Sequence, residues 1–219
     1  MIFSEFTRQA AGITLYCDYR DFKNLHNTVH ELCDESPLNR QLQDFVLGLA
    51  FDVRHAYQGM RDTRTFGIDK LEKVKYYGVS IMWPVFLVQV ALLRWLASLK
   101  TTTKEDQSNL YRLEACAEES LLSYDPKIGG FCIEWLKSFS GFPDRYYAEF
   151  LSDCSLLYIE QQTTRKKRFQ ELPRILKMVS PLSDEYKEFA KHLEQLAKEK
   201  GCKPEDLTSA PQKWPDYKW

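Results

Sequence analysis

No nucleophile elbow, Walker loop, GxGxxG fingerprint or HExxH pair occurs in this chain of 219 residues. The common hydrolase, nucleoside-triphosphatase, dinucleotide and zinc-protease signatures are therefore missing. Charge of either sign is also not in excess: 30 Lys and Arg against 31 Asp and Glu leave a net −1. Binding to nucleic acid or anionic lipid would have to come from a local patch. There is no CxxC pair. The six cysteines, Cys17, Cys33, Cys116, Cys132, Cys154 and Cys202, are scattered and read as reduced, mostly buried thiols, with cytoplasmic residence as the expectation. The opening MIFSEFTRQAAG lacks a basic region followed by an apolar core and so does not read as a secretory signal. The longest apolar run, Val79 to Leu99, is interrupted by Pro84, Gln89 and Arg94. From Pro84, which suits a first helical turn, to Leu99 a helix spans roughly 24 Å. That is short of a bilayer core of about 30 Å, so a buried core helix and no membrane association are expected.

What is present is an apolar content of 44 %, enough for a large packed core. Gly12 to Tyr16 (GITLY) is a β-prone run. Phe22, Leu25, Val29 and Leu32 recur at helical spacing and predict a helix over about 21–33, with Asp18 or Asp21 as its cap. Ser36-Pro37 breaks it. A central helix then runs from Leu42 to Gln58, with Gly59 in the C′ position. Arg61 to Ile68 and Val74 to Ile81 are rich in β-branched and aromatic residues on either side of Asp69-Lys70 and read as a hairpin. The polar stretch KTTTKED, Lys100 to Asp106, is the expected boundary. Beyond it the chain reads as helices over about 104–123, 127–139, 144–162, 165–179 and 183–200, the fourth with a candidate break at Pro173. The fold expected is α+β and predominantly helical: residues 1–100 form a small antiparallel sheet packed on helices, and residues 101–219 a helical bundle with an aromatic tail, with one shared core left open.

Four groups of residues are candidates for function. On the central helix Leu42, Phe45, Val46, Leu49, Val53 and Ala56 form one apolar stripe, while Leu47 and Phe51 lie opposite. The helix reads as apolar all round and buried, yet it carries Asp52, Arg54 and His55. Buried ionisable groups must be paired, so these three form either a structural network or a site with His55 as the titrating group. His26 and His30 stand four apart on one helical face, with Cys33 three residues on, a spacing that suits zinc or iron if further ligands converge. Arg165, Lys166, Lys167 and Arg168 are the one dense basic run, either a phosphate-contacting patch or a solvated helix face. Trp214, Tyr217 and Trp219 close the chain with exposed-type aromatics, which should dock on their own domain or anchor a partner.

The segments GITLYCDYRDFKNLHNTVHEL, FDVRHAYQG and KVKYYGVSIMWP resemble an uncharacterised bacterial family of small α+β proteins. In that family a similar Asp-x-Arg-His-Ala-x-Gln-Gly run precedes a hairpin and an apolar helix. The resemblance covers residues 1–100, implies the topology and places no role on any residue. The expected function is a non-catalytic interaction or scaffold subunit of a larger bacterial assembly, of the defence or toxin–antitoxin kind, with a protein partner or homo-oligomer and no cofactor. Two alternatives stand beside it. One is a metal-assisted hydrolase using Asp52 and His55 or His26 and His30; the other is a nucleic-acid-binding subunit using Arg165 to Arg168.

Overall fold

The computed structural model describes residues 2–66, 73–139, 146–160, 164–203, 207, 214–215 and 219. Among these the chain runs β1 (Phe3–Phe6), β2 (Gly12–Cys17), α1 (Tyr19–Cys33), α2 (Arg40–Tyr57), β3 (Asp62–Phe66), β4 (Val74–Met82) and α3 (Trp83–Leu99). Five further helices follow: α4 (Lys104–Tyr124), α5 (Pro126–Ser138), α6 (Tyr147–Glu160), α7 (Arg165–Met178) and α8 (Asp184–Lys200). The fold is α+β and predominantly helical, with one antiparallel sheet of order β1-β2-β4-β3. No described helix is long and apolar enough to cross a membrane.

Local chemistry sets the helix ends. The Asp18 carboxylate accepts from Asp21 N at 2.9 Å and opens α1, whose buried stripe is the expected Phe22, Leu25, Val29 and Leu32. Asn39 caps α2 in the same way through Leu42 N. At the other end Met60 N donates to His55 O and Gly59 N to Ala56 O, with Gly59 at φ 80°. This six-to-one, five-to-two closure needs a left-handed residue, the reason glycine stands there.

The helix buried almost all round is α3, whose Trp83, Phe86, Leu87, Val88, Val90, Leu92, Leu93 and Leu96 are all enclosed. The reading of α2 as the central buried helix is thereby corrected. Its buried side is a single stripe of Leu42, Val46, Leu49, Ala50, Val53 and Ala56, while Phe51 is 51 % exposed and Arg54 faces solvent. Apolar residues on the far side of a wheel do not imply burial, because surfaces carry many of them.

The expected strands pair as antiparallel neighbours, β2 with β4 from Gly12↔Met82 to Cys17↔Tyr77 and β3 with β4 from Asp62↔Gly78 to Phe66↔Val74. The hairpin turn at Asp69-Lys70 lies outside the described residues. One strand was not expected: β1, paired Phe3↔Tyr16 to Phe6↔Ile13. One sheet face, with Ile13, Leu15, Val79 and Ile81, is buried in the helical core. The other gathers Phe3, Tyr16, Phe66 and Tyr76 with Arg64, which lies over the Tyr16 ring at 4.1 Å and donates to Glu5 at 2.6 Å.

Lys100–Thr103 is a connection, and α4 starts in a capping box of Thr103 and Asp106. Pro173 lies inside a continuous α7. Buried residues from both segments belong to one core cluster, from Ile2 to Tyr186. Two side chains bind the halves together at the β1–β2 turn: Tyr158 donates to Ala10 O at 2.6 Å and Arg168 to Gln9 O at 2.7 Å.

Candidate functional site

Where β3 ends, β4 continues. Beyond the pair Asp62↔Gly78 the four residues Val79 to Met82 are paired by β2 on one side, and no described strand lies on the other. That open edge is the floor of a cleft of about 460 Å³. Its walls are Asp52 of α2, Arg61 and Asp62 after the Gly59 turn, and Val85 in the first turn of α3; Trp219 lines it as well. The strand alternation places Val79 and Ile81 toward the helical core and Gly78, Ser80 and Met82 toward the opposite face.

The polar groups around the cleft are held in fixed pairs. Arg61 donates to Asp52 Oδ1 at 2.8 Å. Burial pushes the Asp52 carboxyl up from its ordinary value, and the Arg61 and His55 charges pull against that. Its side chain is 36 % exposed, so this is a rim ion pair worth about 0–1 kcal/mol and not the buried network expected on α2. Tyr16 donates to Asp62 Oδ2 at 2.6 Å, and burial together with that carboxylate holds the phenol well above its ordinary value. The Tyr16 ring occupies the space over Gly78, where a Cβ would come within 2.4 Å of it. Ser80 shares a hydrogen bond of 2.8 Å with Thr14.

The other sequence candidates separate. Asp52 lines the cleft and His55 does not: the His55 ring is turned back on its own helix, donating to Phe51 O at 2.8 Å and lying 4.1 Å from the Phe51 ring. Arg54 stacks over Phe51 at 5.5 Å and, across the α1–α2 surface, depresses the His30 pKa. Burial is the larger cause of that depression, followed by the neighbouring His26. The His26 and His30 rings do stand together, 4.5 Å apart. Cys33 is buried, its thiol pushed up to about 12 by burial. Among the described residues no three His, Cys, Asp or Glu side chains gather into a metal site.

The basic run is likewise divided. Arg165 lies over the Tyr124 and Phe6 rings at 4.6 and 5.5 Å. Arg168 is buried, donating to Gln9 O and Ile159 O at 2.7 and 3.3 Å. Only Arg165, Lys166 and Lys167 are exposed, so the expectation of four solvent-facing cations is corrected to three. In the tail, Trp219 lines the cleft and remains 41 % exposed, Trp214 is 37 % exposed, and Tyr217 lies outside the described residues.

Sequence reasoning reached Asp52 and Trp219 without joining them and missed Arg61, Asp62, Ser80 and Val85. A signal existed in the C′ glycine: a helix closed at Gly59 fixes where β3 can start, and hence how much of a longer β4 stays uncovered. An open strand edge offers backbone donors and acceptors, and the cleft adds an apolar seat beside an ion pair. That combination suits an extended peptide. No curated protein and no solved structure matches the chain. A family model does match, through the helical second half as well as the first hundred residues that carried the resemblance: over residues 2–219 the chain belongs to DUF6904, a domain of unknown function.

Proposed function

We propose that this protein is a non-catalytic interaction subunit that docks an extended protein segment in the cleft at the end of β4. The observation that carries this reading is the placement of Trp219: a tryptophan from beyond α8 lines a cleft whose floor is a strand edge of the N-terminal sheet that no other described strand pairs. Tryptophan is the side chain most enriched at binding hot spots. A cleft that receives one in cis has the chemistry to receive one in trans. Trp219 is then the resident occupant, and a partner segment competes with it.

The test uses the full-length chain carrying Trp219→Ala and a fluorescent hexapeptide of residues 214–219. Saturable binding is expected by anisotropy, with at least severalfold weaker binding to the unsubstituted chain, where the peptide must displace Trp219. A folded Trp219→Ala chain that does not bind the peptide would overturn the reading.

A further inference from the structure

We infer that His26 and His30, on the outer side of α1, form a two-imidazole chelate for a divalent late transition-metal ion, with Cu²⁺ bound most tightly. The site is separate from the β4 cleft, to which α1 contributes no residue. The two side chains stand about one helical turn apart, and their ring centroids are 4.5 Å apart with the planes inclined at 46°. Two imidazoles held by one ion at about 2.0–2.1 Å have centroids about 4.5 Å apart at a right-angled N–metal–N and about 5.2 Å apart at a tetrahedral one. The spacing in α1 matches the right-angled arrangement, which Cu²⁺ and Ni²⁺ favour over Zn²⁺.

Packing leaves the pair available and partly fixes it. Neither ring belongs to the buried side of α1, which Phe22, Leu25, Val29 and Leu32 fill. His30 is exposed, and His26 is half-buried with the Tyr57 ring edge-on at 6.1 Å; Tyr57 in turn meets Tyr19 at 5.3 Å. These neighbours restrict the His26 ring, so less freedom is lost when an ion orders it. His26 Nδ1 lies 3.4 Å from Asn27 Oδ1, an oxygen that only accepts. That contact keeps the proton on Nδ1 and leaves the lone pair on Nε2, the arrangement common among metal-binding histidines. Imidazole pairs suit Cu²⁺, Ni²⁺ and Zn²⁺, whereas Mg²⁺ and Ca²⁺ take oxygen ligands. Among the described residues no third ligating side chain joins the two, so water completes the coordination. One group opposes binding. Burial, then His26, then the Arg54 charge depress the His30 pKa, and the charge that repels a proton repels a metal cation as well.

The full-length chain is titrated with CuCl₂, NiCl₂, ZnCl₂ and MgCl₂ by calorimetry in a non-coordinating buffer near neutral pH. One equivalent of Cu²⁺ should bind more tightly than Ni²⁺ or Zn²⁺, and Mg²⁺ should give no binding. His26→Ala and His30→Ala should each weaken that equivalent about tenfold or more, because a chelate loses its advantage with its first arm. The double substitution should then weaken it little beyond either single one. His192→Ala should leave it within about twofold, while Arg54→Ala should tighten it about twofold or more. Circular dichroism checks that each variant is folded, and electron paramagnetic resonance supplies a readout that stability does not move. The Cu²⁺ spectrum should show coupling to two imidazole nitrogens in the parent and lose one of them in each single variant. Absence of saturable Cu²⁺ binding, binding that survives both single substitutions, or losses at the two histidines that merely add would overturn the chelate.

Discussion

Replacing Gly12 with alanine is expected to cost about 4 kcal/mol or more, the range reserved for substitutions that force backbone apart. The added Cβ would stand 1.8 Å from Ile81 O, 2.6 Å from Ile81 C and 2.8 Å from Met82 Cα. None of these atoms belongs to a side chain that could turn aside, so β2 and β4 would have to separate at their Gly12↔Met82 end. The neighbouring bonds Trp83 N to Ala11 O, at 3.1 Å, and Gly12 N to Thr7 Oγ1, at 2.9 Å, would strain with them. Urea unfolding followed by circular dichroism measures the loss, and an unfolding free energy within about 1 kcal/mol of the parent's would show that the two strands are not in close contact there. Because Val79–Met82 form the floor of the cleft, this glycine sustains the edge on which the proposed docking depends.

The second large effect is expected at Arg168. Arg168→Ala removes charge-assisted bonds to Gln9 O and Ile159 O and leaves both carbonyls without that donor in a place the side chain had filled. A loss of about 3 kcal/mol follows. Arg168→Lys should recover only part of it, since an ammonium on a single stem does not reproduce the guanidinium fork. The readout is again denaturant unfolding. A change within about 0.5 kcal/mol, the value typical of a surface site, would return Arg168 to the solvent-facing patch. Thermal effects at Lys166 or Lys167, both exposed, should be of that small kind.

The sequence was legible where packing follows a local period. The stripe of α1, the first-turn proline of α3, the C′ glycine of α2 and the β3–β4 strand pair all appear at the expected positions, because each is set by residues close in sequence. β1 escaped because Phe3 and Phe6 fall on opposite faces of the sheet, Phe3 stacking on Tyr16 and Phe6 on Tyr124, so FSEF shows no alternation. The place of Phe51 in solvent depends on what packs against α2, which a wheel does not contain. Asp52 finds its partner in Arg61, nine residues on and past the helix end, beyond the reach of helical spacing. Arg168 was legible in principle. It stands four residues before Leu172, on the stripe that Ile175 and Leu176 continue, but the run of like charges drew it into the surface patch. Trp219 reaches the cleft across the whole chain, and no local pattern encodes that.

The docking claim is tested most directly by locating the peptide. Into the full-length Trp219→Ala chain a second substitution is introduced, Val85→Glu in the cleft wall or, as a remote control, Lys166→Ala with Lys167→Ala, each confirmed folded by circular dichroism. Titration with the labelled 214–219 hexapeptide should show binding weakened more than about tenfold by Val85→Glu, which places a solvated carboxylate in the apolar seat, and unchanged by the lysine pair. Equal affinity in the two chains would place the peptide elsewhere and contradict the assignment of the β4 cleft as the docking site.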